Sequence, residues 1–243
     1  IGAKVWKINF NGGDFVFYPF RSTPYLGGMD AWEAFIEEFI KSRGVDVLMV
    51  FGDCRPIHQV AIRVAGGLRV DVWVFEEGYL RPDYITFERG GVNARSSFSR
   101  SPLRYLNGRN ATNKCAPSEQ VGSTFRYVML WAIIYYTASH LMAVFFRQYE
   151  HHRPLVIWEG LFWLRSFWRK LYYKVIERDE LRLLTGPLKN EFFLVALQVH
   201  VDSQITVHSN FKTVEKFILE VISSFALHAL DNHVLVFKHH PLD

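Results

Sequence analysis

The sequence predicts an α/β fold in which helices cover a parallel, doubly wound sheet, with a second unit of the same kind beginning near the end of the chain. Two observations support this prediction. Short apolar runs typical of buried strands alternate with helical segments over residues 4–75. The same order returns in residues 193–243, where strand, helix and strand make a βαβ unit of Rossmann type. At 243 residues and 49% hydrophobic, the chain can bury one large core or two modest ones.

The first elements alternate between strand, loop and helix. A strand is predicted over Lys4–Asn9 and is followed by a loop rich in Gly, Pro and aromatic residues over Phe10–Gly28. That loop is too long for a simple connector, which suggests a functional role. Asp30 is predicted to cap the next helix, with Glu33 reaching back to the cap. Gly44 is predicted to end this helix.

A continuous apolar run, Val47–Phe51, follows, and the next buried strand is predicted at Val70–Phe75, with a helix over Ile57–Ala65 between them. A run that is apolar at every position, as Val47–Phe51 is, is typical of a strand covered on both faces. Short turns around a crossover helix predict that the two strands pair in parallel.

A helical block is predicted over residues 122–184. Its first segment, Val128–Phe146, is long enough and sufficiently free of charge to cross a bilayer. Its centre is polar, however, and we favour a buried or interfacial helix. The next helix, Leu161–Leu183, mixes aromatic and basic residues. This mixture fits either a packed helix whose cations snorkel to the solvent or a helix that lies on the surface of an anionic membrane.

Polar side chains follow the predicted strands where the carboxyl ends of a parallel sheet face a ligand crevice. In the first half these are Asp53, Arg55, Glu76, Glu77 and Arg81. Adjacent carboxylates at Glu76 and Glu77 could give one of them a raised pKa and an acid or base role. Alternatively, one of them pairs with Arg55 or Arg81 in a structural ion pair.

The final βαβ unit carries a second polar set, made of Gln198, Asp202, Ser209, Lys238, His240 and Pro241. Asp202 suits a nucleophile or base, although an Asp in such a turn is more often a helix cap. Lys238 and the imidazole of His240 suit a phosphate, and a helix start at Ser209 or Asn210 would add backbone N–H groups.

Composition narrows the function classes. A net charge of +4 favours an anionic partner. Cys54 and Cys115 have neither metal nor disulfide spacing, which fits the reducing cytoplasm. The ten histidines include adjacent pairs that would point to opposite faces of a strand, and no zinc motif is present, so we expect no metal. Dinucleotide, P-loop and serine-hydrolase motifs are also lacking, and no known motif supports nucleic-acid binding.

Three long blocks in a fixed order resemble one protein family. They are VFGDCRPIHQVA at Val50–Ala61, VFEEGYLRPDYITFERGGVN at Val74–Asn93, and the stretch from LQVHVDSQITVHSNF to VFKHHPLD at Leu197–Asp243. This pattern is similar to the capsule polysaccharide export and biosynthesis proteins, the bacterial β-Kdo transferases that make the lipid-linked primer of capsules. The resemblance covers nearly the whole chain.

The resemblance implies a GT-B glycosyltransferase without a cofactor. Residues 1–190 would form the acceptor-side Rossmann-like domain, including the helical block, and residues 191–243 would begin the nucleotide-binding domain. The donor would be CMP-Kdo and the acceptor an anionic phospholipid, lysophosphatidylglycerol. The protein would be cytoplasmic, peripheral at the inner face of the inner membrane, in contact with other capsule assembly and export proteins, and would not bind nucleic acid.

The resemblance also implies residue roles. Asp202 would be the nucleophile of a retaining, two-displacement reaction, by analogy with retaining glycosidases. Glu77, or failing it Glu76, would be the acid/base residue. His240 and Pro241 form the His-Pro motif and would hold the CMP phosphate with Lys238. Gln198 and Ser209 would assist donor binding, and Asp53, Arg55 and Arg81 would support the site.

Enzymes of this family continue past the position equivalent to Asp243, and we expect these 243 residues alone to be inactive. The alternative is a non-catalytic, membrane-associated component of capsule polysaccharide export. Loss of CMP release on Asp202→Asn would distinguish the transferase from the export component.

Overall fold

The structure, a computed structural model, describes residues 2–78, 84–103, 125–147, 159–199 and 202–240. It divides into two compact units, Ile1–Ile157 and Trp158–Asp243. Helices and parallel strand pairs occur in both units, which confirms the α/β class. The domain boundary near residue 190 stays a prediction.

The first unit contains five strands and four α-helices among its described residues. In chain order they are β1 (Lys7–Asn9), α1 (Gly12–Phe17), β2 (Ser22–Pro24), α2 (Met29–Arg43), β3 (Val47–Phe51), α3 (Pro56–Gly67), β4 (Asp71–Glu77), β5 (Ile85–Arg89) and α4 (Phe125–Leu141), with a 3-10 turn at Asn93–Arg95. β1 pairs with β2 in parallel, and β3, β4 and β5 form a separate sheet.

The segment predicted as a loop over Phe10–Gly28 is structured, so that prediction is wrong. Asn11 caps α1, its side-chain oxygen accepting the Asp14 N–H at 2.9 Å. β2 then runs parallel to β1. Short elements of three and six residues leave little periodicity in the sequence, which is why the pattern indicated a loop.

Helix α2 ends as predicted but begins differently. Gly44 adopts the left-handed conformation at φ 59°, and its N–H donates to the carbonyls of Ile40 and Lys41. At the other end the N-cap is Gly28, without a side-chain hydrogen bond, so the predicted cap at Asp30 is wrong. Glu33 does not reach back either, because it pairs with Arg63 of α3 at 2.5 Å.

The β3–α3–β4 unit confirms the predicted parallel pair, with Val47 opposite Asp71 and Phe51 opposite Phe75. The next strand, β5, was not predicted, and it pairs antiparallel to β4. The Gly78 N–H donates to the Tyr84 carbonyl at 3.0 Å where the two strands meet. This sheet is therefore mixed rather than wholly parallel.

The core of the first unit lies between α2, α3 and the neighbouring strands. Its buried side chains include Trp32, Ile36 and Ile40 of α2 with Ile57 and Ala65 of α3. The Trp32 indole N–H donates to the Ile57 carbonyl at 2.9 Å, which satisfies a buried donor and fixes the start of α3. This packing positions the turn between β3 and α3.

The second unit is built on the predicted βαβ arrangement. Its elements are α5 (Glu159–Ile176), α6 (Arg178–Thr185), β6 (Phe192–Ala196), α7 (Ser203–Thr206), α8 (Val214–His228) and β7 (Val234–Lys238). β6 and β7 pair in parallel, with Phe192 opposite Val234 and Ala196 opposite Lys238, which confirms the unit. The single helix predicted over Leu161–Leu183 is instead two helices that meet at Glu177.

Within Val128–Phe146 the helix α4 ends at Leu141, and turns follow. Among the helices described, none combines the length and the apolar character required to cross a membrane.

Candidate functional site

Asp53 forms the centre of a polar turn between β3 and α3. Asp53 is almost fully buried, with 1% of its surface exposed. One carboxylate oxygen lies 3.3 Å from the Arg95 guanidinium and the other accepts the Val92 N–H at 3.4 Å. Arg95 also donates to the Asp53 carbonyl at 2.8 Å, so the turn and the Asn93–Arg95 segment are joined twice. A Cβ added at Gly91 would lie 3.2 Å from the carboxylate, which explains the close approach of the chain there.

Cys54 follows Asp53 and has a thiol of low reactivity. Burial, with a hydrogen bond to the Asp53 carboxylate at 3.3 Å, raises the pKa of its thiol to about 11. The protonated thiol is a poor nucleophile and a poor metal ligand near neutral pH.

His58 lies one turn into α3 with a defined tautomer. Its Nδ1 is 2.8 Å from the Gly52 carbonyl, and because a carbonyl only accepts, Nδ1 carries the proton. Burial lowers the pKa of the imidazole. The neutral ring therefore has its lone pair on Nε2.

A second polar cluster joins the β1–α1 turn to α4. The Asn11 side-chain amide donates to the Tyr135 hydroxyl at 2.7 Å, and that hydroxyl donates to Asp14 at 3.3 Å. The Phe10 N–H holds the other Asp14 oxygen at 3.0 Å. The Gly13 N–H donates to the Ser139 hydroxyl at 3.1 Å. Burial raises the pKa of Tyr135, so its phenol stays a donor.

The two clusters meet around a small cavity of about 70 Å³. It is lined by Phe10, Asn11, Asp14, Arg55, Ile57, His58 and Tyr135. A second, open groove of about 600 Å³ follows β5 and is lined in part by Glu88, Asn93, Ser96, Phe98 and Arg100. Both lie within the first unit.

Glu76 and Glu77 end β4 and differ in environment. Glu76 is half-buried and accepts the Asn93 side-chain amide at 2.5 Å, which links β4 to the Asp53 region. Glu77 is exposed at the strand end. Arg81 lies outside the described residues, so the ion-pair alternative to a catalytic role stays open for it.

In the second unit, Asp202 is a helix cap. It is the N-cap of α7, and its Oδ1 accepts the Gln204 N–H at 2.8 Å. Ser209 donates to the Ile205 carbonyl at 2.6 Å and accepts the Phe211 N–H at 3.2 Å. A helix start at Ser209 or Asn210 is wrong: Lys212 has φ 66°, and α8 begins at Val214 after the N-cap Thr213.

Lys238 and Gln198 lie at the carboxyl end of the parallel β6–β7 pair. The Leu197 N–H donates to the Lys238 carbonyl at 2.9 Å, so the segments that follow β6 and β7 leave the sheet side by side. Lys238 and Gln198 are exposed, and His240 is half-buried two residues further on. Pro241 lies outside the described residues.

Several polar residues of the first unit were missed from the sequence. Asn11, Asp14 and Tyr135 lie in segments predicted as a loop and as an apolar helix. The available signals were the Asn-Gly-Gly-Asp run and the polar centre of Val128–Phe146. Arg95 and Asn93 had no signal, because their partners are distant in sequence.

The geometry defines an α/β protein with polar groups at the carboxyl ends of parallel strands, the position where ligands bind in such folds. Residues 46–243 match the model of the family described as capsule polysaccharide biosynthesis protein. The chain belongs to this family.

Curated relatives agree. Over the whole chain, it is 36% identical to the capsule polysaccharide export protein KpsS of Escherichia coli and covers 62% of that protein. It is 35% identical to the capsule polysaccharide modification protein LipB of Neisseria meningitidis serogroup A, of which it covers 59%. The chain thus spans about three fifths of the length of these relatives. No solved structure matches it.

Proposed function

We propose that the chain is part of a GT-B glycosyltransferase that transfers Kdo from CMP-Kdo to a phospholipid acceptor, lysophosphatidylglycerol, and so starts the linker of a capsule polysaccharide. The observation that supports this most is the polar end of the β6–β7 pair. There Lys238, Gln198 and His240 follow parallel strands, as donor-phosphate groups do in nucleotide-binding folds. Lys238 and His240 would neutralise the CMP phosphate without a metal.

The proposed reaction has two displacements. An Asp202 oxygen attacks the anomeric carbon of Kdo while the bond to the CMP phosphate oxygen breaks, and CMP leaves with the electron pair. The acceptor hydroxyl then attacks the same carbon, its proton passes to Glu77 or Glu76, and the Asp202 carboxylate is released. The hydrogen bond from the Gln204 N–H would hold one Asp202 oxygen and orient the other.

The acceptor would lie at a membrane surface. Helix α5 exposes Phe167 and Trp168, at 51% and 67%, and carries Lys170 and Lys174 on one stripe. Aromatic and basic residues together suit an anionic lipid interface. We propose peripheral attachment to the inner face of the inner membrane, near other capsule assembly and export proteins.

A second candidate is a non-catalytic component of capsule polysaccharide export. The name of the Escherichia coli relative, an export protein, favours it. The basic aromatic helix α5 suits this function equally.

CMP release distinguishes the two. The complete protein is incubated with CMP-Kdo and lysophosphatidylglycerol, and free CMP is measured for the wild type, Asp202→Asn and the control Asp231→Asn in an exposed turn. A transferase loses CMP release on Asp202→Asn by about a thousandfold or more, and keeps it on Asp231→Asn. An export component releases no CMP in any of the three.

A further inference from the structure

We infer that the cavity between the β1–α1 turn, the β3–α3 turn and α4 binds a small hydroxyl-bearing anion, with the anionic group on Arg55 and a hydroxyl on His58 Nε2. The ligand class is a phosphorylated or carboxylated polyol. This site lies in the first unit and includes none of the proposed nucleophile, acid/base or phosphate-binding groups, although the resemblance gave Arg55 a supporting role.

Arg55 supplies the charge. It lines the cavity and is half-buried. Its guanidinium carbon lies 5.9 Å from the centroid of the Phe51 ring. Among the described residues no carboxylate forms an ion pair with it: Asp14 lines the same cavity, but its two oxygens accept from the Phe10 N–H and the Tyr135 hydroxyl. A partly desolvated guanidinium with its fork unpaired is suited to a carboxylate or a phosphate, which it can bind through two parallel hydrogen bonds.

His58 supplies an acceptor beside that charge. Its Nδ1 is committed to the Gly52 carbonyl at 2.8 Å, so Nε2 accepts. A bare anion has no hydroxyl to donate to His58 Nε2. One ligand can bind both Arg55 and His58 only if it carries a hydroxyl as well as a negative charge. The mixed pair therefore selects polyol anions over simple anions.

The remaining wall is rigid. Asn11, Asp14 and Tyr135 bond to one another in a chain of two hydrogen bonds, and the Phe10 N–H anchors Asp14. A cavity of about 70 Å³ has room for several water molecules, and hence for a group the size of a phosphate. Preorganised walls reduce the ordering cost of binding.

Two sources offer this chemistry: the phosphoglycerol headgroup of an acceptor lipid and the sugar acid of the donor. The probes glycerol 3-phosphate and free Kdo separate them, and sulfate serves as an anion without a hydroxyl. Assigning either source to the transfer reaction rests on the proposed function, whereas binding of the probes does not.

The test is calorimetric titration of the 243-residue chain and of three variants. Arg55→Gln removes the charge, and the Arg55 side chain makes no cap hydrogen bond to α3. His58→Asn retains a donor for the Gly52 carbonyl and removes the Nε2 acceptor. Exposed Arg178→Gln is the matched control. Circular dichroism and thermal melting confirm that each variant folds.

We expect one of the two polyol anions to bind with a Kd below about 10 mM. Arg55→Gln weakens that binding by about tenfold or more, and His58→Asn by about fivefold. Sulfate binding falls on Arg55→Gln but is unchanged on His58→Asn. The binding of glycerol 3-phosphate assigns the site to the acceptor, and that of Kdo to the donor sugar.

The inference is overturned if neither probe binds, if Arg55→Gln acts no more strongly than Arg178→Gln, or if His58→Asn weakens sulfate and the polyol anion equally. If the probe binds but the complete protein releases no CMP, this site stands and the proposed function is lost. If the complete protein releases CMP but neither Arg55→Gln nor His58→Asn changes probe binding, the proposed function stands and this site is lost.

Discussion

Replacing Asp53 by Asn tests how strongly one buried charge organises the first unit. The carboxylate is 1% exposed and receives three donors, from Arg95 at 3.3 Å, the Val92 N–H at 3.4 Å and the Cys54 thiol at 3.3 Å. An amide of nearly equal volume offers a single acceptor oxygen and two N–H donors. At least one of the three donors is then left facing another donor.

The cost follows from these contacts. A buried hydrogen bond to a charged group contributes about 1.5–3 kcal/mol, and an unpaired buried donor costs about 1–3 kcal/mol. Arg95 is 42% exposed and can regain water, and the contact with Val92 is long, so the lower part of each range applies. We expect Asp53→Asn to lower the free energy of unfolding by about 2–4 kcal/mol.

The assay is urea denaturation followed by tryptophan fluorescence. The matched control is Asp71→Asn: Asp71 pairs with Arg89 at the surface, with side chains 45% and 64% exposed, and its loss should cost about 0.5 kcal/mol or less. Equal destabilisation by the two substitutions would refute the role assigned to Asp53.

Three further predictions concern Gly13, His58 and Cys54 of the first unit. Gly13→Ala should lose about 1–3 kcal/mol of stability, because its Cβ would lie 2.5 Å from a Tyr135 ring carbon, whereas helical Gly66→Ala meets nothing within 4 Å and should be neutral or stabilising in the same melt. Burial lowers the pKa of His58 from 6.5, so the unfolded chain takes up its proton first; wild type should lose stability below about pH 6.5, and His58→Asn should lose less. Iodoacetamide should modify Cys54, in a chain without its other thiol, slowly at pH 8 and at a rate that rises up to about pH 11; rapid reaction at pH 8 would contradict the buried, Asp53-bonded thiol.

The sequence predicted best where one periodicity extends over a whole element. β3 has the predicted bounds, Val47–Phe51, because an uninterrupted apolar run between turn residues has few other interpretations. The expectation that it is covered on both faces is wrong, since Val47, Met49 and Phe51 on one face are exposed. The β6–β7 pair was also predicted, since a strand, helix and strand of ordinary length leave parallel pairing as the favoured topology. Gly44 marked the end of α2 because glycine, which has no Cβ, adopts φ 59° at little cost.

The prediction failed where distant residues decide the structure. Strand β5 exists because it pairs antiparallel to β4, whereas its own five residues carry two charges and give little strand signal. Asn11 and Tyr135 are 124 positions apart, so nothing in the local sequence indicates their hydrogen bond. Capping at Thr213 rather than at Ser209 depends on the turn made by Lys212.

The central proposal is that the complete protein attaches Kdo to a lipid, and the mass of the acceptor tests it most directly. The complete protein is incubated with CMP-Kdo and lysophosphatidylglycerol, and the lipid is analysed by mass spectrometry. The account predicts that the acceptor gains one or more Kdo residues with wild type and Asp231→Asn, and none with Asp202→Asn. An acceptor of unchanged mass with the wild-type protein, or one equally modified by Asp202→Asn, would contradict it.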